Sequence, residues 1–373
     1  MTNLPDRLLL RPDAPSDARL ADSAKARPAP SDAVVPPYVD VLSDVLRCVR
    51  PTGSMLFLVN ASTPWISRVP AAATFAQTVL PGSQRLISYH VITEGECWGA
   101  IEGEAPQRLE AGDILVIPHG APYYLANPAG TPTCCSEAEA VWFFRMMVAG
   151  ELPSVVTEGG GGAERTNLIC GFLGCDARPF NPILAALPPA LYLRGVAPPG
   201  HRFAHLIEFA QAELREQSAG SREVLLRLSE LMFMAAIRRH VETLDDAGSG
   251  WLAGLREPLV AKVLSLLHAQ PARAWTLSAL ASEAGSSRSV LASRFTRVVG
   301  QSPIRYLTAW RMQLATRLLA EREFKIKSVA EAVGYDSEGA FSRAFTRLVG
   351  DNPVAWRNSA RRAVPLTASP VGS

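Results

Sequence analysis

The sequence predicts a multidomain α+β chain: an N-terminal antiparallel β-barrel, a helical segment behind it, and a C-terminal all-α domain with two helix-turn-helix units. Three observations carry this. The first half breaks into short apolar segments of strand type separated by Gly and Pro. The second half places apolar residues at three- and four-residue steps. Finally, FTRVVGQSP at 295–303 returns as FTRLVGDNP at 345–353, an interval of 50 residues.

With 373 residues, 48% hydrophobic and 19% charged, the chain can build two or three domains, each with its own core. No apolar run approaches the roughly 20 residues a membrane helix needs, so no membrane partner and a cytoplasmic location are expected. Residues 1–37 are rich in Asp, Pro, Ala and Arg, end in Pro36-Pro37, and have no signal-peptide core. They read as a disordered leader. Residues 38–200 form the barrel region. A helix starts near Val39 (VDVLSDVLRCVR), and strands are expected at SMLFLVNAS, TFAQTVL, QRLISYHVITEGECWGAIEG, GDILVIPHG, AEAVWFFRMMVAG and TNLICGFLGC. Gly159 to Gly162 read as a flexible crossing. From Phe203 to about Leu244 the pattern is helical, and residues 201–250 form a helical segment closing in the linker Asp245–Gly250. Residues 257–363 are helical throughout, and 364–373 form a disordered tail.

Six cysteines (Cys48, Cys97, Cys134, Cys135, Cys170, Cys175) lie in the first half without a CxxC pair. They are expected to be free thiols buried in a core. The vicinal pair Cys134-Cys135 and the pair Cys170/Cys175 leave a redox-sensing role open.

Charge divides the molecule. Residues 258–373 hold 16 Lys+Arg against 7 Asp+Glu, a net of +9, and the other 257 residues are net −7. A basic end on an acidic body is the electrostatic footprint of a nucleic-acid-binding module.

The repeat gives that module its form. In FKIKSVAEAVGYDSEGAFSRAFTRLVGDNP, Ile326, Val329, Ala330 and Val333 share one helical face, and Gly334 ends the helix. Asp336 or Ser337 caps the next helix, whose buried face is Ala340, Phe341, Ala344, Phe345 and Leu348. Helix, Gly-containing turn and helix make a helix-turn-helix unit. The first copy, TLSALASEAGSSRSVLASRFTRVVGQSP, repeats it with Leu277, Leu280, Ala281 and Ala284, then Gly285, then Val290, Leu291, Arg294 and Phe295. The units span about 276–299 and 326–349. Between them PIRYLTAWRMQLATRLL, with Leu307, Trp310, Leu314 and Leu318 on its core side, is a 17-residue helix. It is about 25 Å long at about 1.5 Å per residue, so it can hold the units roughly one DNA turn apart.

Residues 257–363 resemble the DNA-binding domain of the AraC/XylS family of bacterial transcription regulators, on the signature SVAEAVGYDSEGAFSRAFTRLVGDNPVAWR. The resemblance implies recognition helices at about Arg288–Val298 and Glu338–Leu348. Their exposed faces are Ser289, Ala292 and Ser293, and Glu338, Gly339, Ser342 and Arg343. Arg343 is the base-reading candidate, because a guanidinium pairs bidentately with guanine. Ser293 and Ser342 are candidates for a base or a phosphate. Arg288, Arg294, Arg297, Arg305 and Arg347 are phosphate candidates. The resemblance also implies double-stranded DNA and RNA polymerase as partners, a homodimer with 203–244 as its face, and activation as the outcome.

The barrel region resembles a cupin. GDILVIPHGAPYYLAN keeps Gly112, Pro118, Gly120 and Asn127 of the second cupin motif but has Tyr123 where metal-binding cupins have His. In the first motif Ser88 stands at the first histidine position, His90 at the second, and Glu94 or Glu96 at the carboxylate. His90 plus one Glu falls short of the three ligands a metal needs. Neither metal nor other cofactor is expected. A barrel interior that holds one small effector remains, with His90, Glu94, Glu96, Trp98 and Tyr123 as pocket candidates. The expected function is a transcription regulator controlled by a small molecule and not an enzyme. The alternatives are a thiol- or oxidant-responsive regulator and a metal-dependent cupin enzyme.

Overall fold

The computed structural model describes residues 40–48, 51–132, 135–175, 179–196, 202–244, 250–320 and 324–363. The expected leader, the linker at 245–249, Cys134 and the tail lie outside the described residues. The elements run α1 (Val41–Cys48), β1 (Pro51–Ser62), β2 (Trp65–Val69), α2 (Ala72–Val79), β3 (Arg85–Glu94), β4 (Glu96–Ile101), β5 (Gln107–Glu110), β6 (Ile114–Ile117) and β7 (Tyr123–Asn127). There follow α3 (Glu137–Ala149), β8 (Val155–Gly159), β9 (Arg165–Cys175), α4 (Pro182–Ala186), β10 (Leu191–Leu193), α5 (Arg202–Glu216) and α6 (Ser221–Thr243). The C-terminal helices are α7 (Trp251–Gly254), α8 (Pro258–Ala269), α9 (Leu277–Ala284), α10 (Arg288–Val299), α11 (Pro303–Ala320), α12 (Ile326–Ala332), α13 (Glu338–Val349) and α14 (Pro353–Ala363).

The strands form two facing sheets, ordered β10-β6-β3-β9-β1-β8 and β2-β7-β4-β5. Pairing is antiparallel except for β1 with β8. In β3, Leu86 and Ile92 point between the sheets, whereas Ile87, Tyr89 and Val91 point outward against the helices. Both faces of that strand are covered, so it has buried residues on both sides, among them the polar Ser88 and His90, and no apolar-polar alternation between a core face and a solvent face. Tyr89 donates a hydrogen bond to Ser229 on α6 (3.0 Å), fixing the helix to the sheet.

Two expected strands are helices. TFAQTVL lies in α2, where Phe75 and Val79 are buried one turn apart. AEAVWFFRMMVAG forms α3, whose capping box joins Ser136 and Glu139 and whose last turn closes on Gly150. A short apolar run does not reveal its period; the cap does. Phe75 stacks on Phe144 with ring centroids 4.5 Å apart, and Phe144 meets Phe172 edge-on at 5.1 Å, so α2 and α3 cover one side of the sheet core.

The glycine run is also not a flexible crossing. Gly160 donates to the Ser62 and Pro64 carbonyls (3.1 and 3.0 Å) and Gly162 to that of Thr63 (2.8 Å). A Cβ on Gly159 would stand 1.9 Å from the Ser62 oxygen, so the glycines permit a close approach of two backbones.

The core is divided unequally. One cluster joins the outer face of the six-stranded sheet with α1, α5 and α6, and continues through Trp251, Val263, Leu280, Leu291, Phe295, Tyr306 and Trp310. A separate cluster holds Met312, Leu319, Val329, Phe341, Phe345 and Val349. The first helix-turn-helix unit is packed into the front half of the chain, and the second stands on its own core.

Candidate nucleic-acid interface

Each helix-turn-helix unit is built by its caps. Thr276 accepts from the Ala279 amide (3.1 Å) and starts α9; Ser287 accepts from Val290 (3.3 Å) and starts α10. In the second unit Ser337, not Asp336, caps α13 by accepting from Ala340 (3.2 Å). The turn between α12 and α13 needs Gly334. Its φ is +81°, and a Cβ there would meet the Ala272 carbonyl oxygen at 2.4 Å. That contact is between the two units, because Ala272 precedes α9.

Arg311 on α11 completes the joint. It donates to the Pro271 carbonyl (2.7 Å) and the Arg273 carbonyl (2.8 Å), and its guanidinium lies 5.8 Å from the Tyr335 ring centre in the second turn. One side chain therefore holds the loop before α9 and the turn after α12. No local sequence signal marks this role, since an arginine on an amphipathic helix reads as solvated. The 18 residues of α11 span about 27 Å at about 1.5 Å per residue.

The candidate contact residues lie as follows. Ser289, Ser293, Arg294 and Arg297 are exposed on α10 and Ala292 is half-buried; on α13 Glu338, Gly339, Arg343 and Arg347 are exposed and Ser342 is half-buried. Arg294 forms an ion pair with Glu257 (3.3 Å), and Arg288 reaches Ser278 (3.5 Å). The guanidinium of Arg343 folds back over Gly339, 3.6 Å from where a Cβ would stand. Two residues expected in the buried faces are on the outside: Val290 is 50% exposed and Leu348 41%. Their neighbours Leu291 and Val349 face inward. In a helix the inward stripe drifts by a residue per few turns, and the repeat alone did not reveal which of two adjacent apolar residues faces in.

The five pocket candidates do not converge. His90 and Tyr123 meet between the sheets, with His90 Nε2 2.6 Å from the Tyr123 hydroxyl and Nδ1 3.1 Å from Cys170 Sγ. Glu94 accepts from Asn167 at the surface (2.6 Å), Glu96 is ion-paired with Arg108, and Trp98 is half-buried on the face opposite Cys97. Among the described residues no three His, Cys, Asp or Glu side chains come together as a metal site. Ser88, Tyr123 and a histidine with both nitrogens engaged are a donor set that does not fit a metal. Burial pushes the His90 imidazole down to about 3. The unfolded chain, titrating near 6.5, then binds a proton that the folded chain refuses between about pH 6.5 and 3. Stability should therefore fall with pH by about 1.4 kcal/mol per unit, or about 2 kcal/mol at pH 5. Urea unfolding at pH 7.5 and 5.0 should show a smaller loss in His90→Gln; an equal loss in both proteins contradicts the assignment.

The two halves meet through polar groups as well as apolar ones. His268 on α8, stacked on Trp310 at 4.2 Å, sets Nε2 2.8 Å from the Tyr306 hydroxyl and Nδ1 3.5 Å from Asp44 of α1. Trp251 donates to Tyr306 (2.9 Å), and the Phe180 amide donates to Gln313 of α11 (3.1 Å).

Comparison with known proteins agrees with this architecture. A cupin family profile matches residues 40–242 and a helix-turn-helix domain profile matches residues 280–359. An AraC-like transcription regulator of Streptomyces antibioticus is 32% identical over 320 residues, covering 86% of this chain and 98% of the relative. The HTH-type transcriptional regulator AlkR of Acinetobacter baylyi is 28% identical over 278 residues (74% and 89%). The RCS-specific HTH-type transcriptional activator RclR of Escherichia coli is 25% identical over 338 residues (88% and 100%). A cupin domain ahead of two helix-turn-helix units defines a DNA-binding transcription regulator. The chain belongs to the AraC family of these regulators, in the branch with an N-terminal cupin.

Proposed function

We propose that the protein reads two unlike segments of one DNA site and that a small molecule bound by the front half controls this. The domains we assign are the cupin-like effector half at 38–200, the helical dimerisation segment at 201–250 and the DNA-binding domain at 257–363. The observation that supports it best is the joint made by Arg311 and Gly334, which holds two frames of the same build with different outer faces. Ser289, Ala292 and Ser293 on α10 offer short side chains; on α13 Glu338 and Arg343 offer long charged ones beside the short Ser342. Arg343 specifies a base, and Arg297, Arg305 and Arg347 hold phosphates. The ion pair of Arg294 with Glu257 supports a phosphate contact from a fixed position.

A homodimer is supported by the α5–α6 pair, where Phe209 is 51% and Leu231 45% exposed around a groove with Val224 and Leu228. A cytoplasmic regulator, acting with RNA polymerase as an activator and not as an enzyme, completes the proposal. The described residues contain no helix long and apolar enough to cross a membrane. Thiol sensing has less support: Cys97 is pushed up to about 12 by burial and Cys170 is also raised, and a thiol that stays protonated is inert. Cys135 is half-buried, with its thiol 3.5 Å from the Ser136 carbonyl oxygen, and its vicinal partner lies outside the described residues.

Selection of bound fragments from a random DNA pool tests the proposal. A recurrent two-part sequence is expected; recovery of unrelated fragments contradicts it.

A further inference from the structure

We infer that a place outside the sheet sandwich binds a small organic anion with an apolar body: the hollow between α1, α5 and α6. The inference rests on the effector control proposed above and relocates it. The space between the sheets is filled by Phe57, Phe75, Phe144, Phe172 and the His90–Tyr123 pair. The hollow is not. It has a volume of about 570 Å³, inside the range of about 300–1,000 Å³ typical of pockets for small ligands. Leu46 of α1, Phe203 and Leu206 of α5, and Met234 and Ala235 of α6 form its walls.

Charge at the mouth selects the ligand. Arg238 and Arg239 stand there with Glu242. Arg239 is paired with Glu242 at 3.6 Å. Arg238 is exposed and makes no ion pair among the described residues. The Asp40 carboxyl is held below its usual range by the Ser43 hydroxyl first and by Arg238 only in small part, and Glu242 is engaged by Arg239. An exposed guanidinium over an apolar wall fits a carboxylate or sulfonate carried on a hydrocarbon or aromatic body.

Position gives the hollow a consequence. Ser43 and Leu46 of α1 border it, and the intervening Asp44 faces His268 of α8. A ligand that presses on α1 therefore presses on the contact between the front half and the helices that carry the first DNA-reading unit.

The test uses the full-length protein and 1-anilinonaphthalene-8-sulfonate, an aromatic body with one sulfonate, in a fluorescence titration. One saturable site per chain is expected. Arg238→Gln should weaken it at least tenfold and Ala235→Trp, which fills the hollow, should abolish it. Should Ala235→Trp fail to fold by circular dichroism, Leu206→Trp serves the same purpose from α5. The neutral analogue N-phenyl-1-naphthylamine should bind at least tenfold more weakly. Unchanged probe binding in the filled variants, or equal binding of the neutral analogue, overturns the inference. So does loss of the site as the protein concentration rises with formation of a dimer, which would make a second copy the occupant. DNA affinity is measured on the same proteins without probe: its absence in every protein, wild type included, sinks the regulator reading and leaves the probe result standing.

Discussion

Replacing Phe345 by Ala is expected to unfold the second helix-turn-helix unit while the sheet half stays folded. Phe345 is fully buried, with its ring 5.5 Å from Phe341 and 6.4 Å from Trp356 between centroids. Phe→Ala in a core costs about 3–5 kcal/mol, through lost transfer energy and the cavity left behind. The unit it belongs to rests on a small cluster of its own, and whole domains are stable by only about 5–15 kcal/mol. The equivalent Phe295 belongs to the cluster that runs on into the sheet half, so Phe295→Ala should lower the stability of the whole chain in one step. Denaturant unfolding followed by far-UV circular dichroism separates the two. Phe345→Ala should show an early transition for part of the helical signal, and Phe295→Ala one shifted transition. Identical curves for the two variants contradict the division of the core.

Arg343→Ala is the second large effect, and it falls on recognition instead of stability. The side chain is exposed and folds back over Gly339, so truncating it removes no core contact. A bidentate pair with guanine is worth about 1–3 kcal/mol of discrimination, which is about 5- to 150-fold in affinity at one base position. Arg297→Ala should behave differently: a phosphate contact is lost, binding weakens on every sequence alike, and the salt dependence becomes shallower. Competition binding with single-base variants of the site distinguishes these outcomes. Arg343→Ala with unchanged base preference contradicts the assignment of that residue.

The C-terminal half was largely legible because its signals are local. Caps, helix-ending glycines and Pro303 and Pro353 at the starts of α11 and α14 lie within a few residues of what they determine. The repeat doubled each signal. What stayed hidden there was long-range: Arg311 reaching carbonyls 40 and 38 residues away, and Gly334 pressed against Ala272. No local pattern announces such pairs. In the front half, strands buried on both faces lose their alternation, so β3 and β9 were readable as apolar runs but α2 and α3 were not separable from them. His90 and Tyr123, which the cupin motifs single out, lie 2.6 Å apart between the sheets because strand register brings them together. The first cupin motif sets Glu94 or Glu96 at its carboxylate position, with Trp98 beside them. Strand parity, and the shift in pairing between Ile92 and Glu94, send them elsewhere.

In the function proposed, two units held by one helix and one arginine read one DNA site together. Hydroxyl-radical footprinting of the selected site tests it most directly. Two protected segments on one face of the duplex are predicted, with centres about one helical turn, roughly 34 Å, apart. A single protected segment, or two whose spacing varies from site to site, would contradict it.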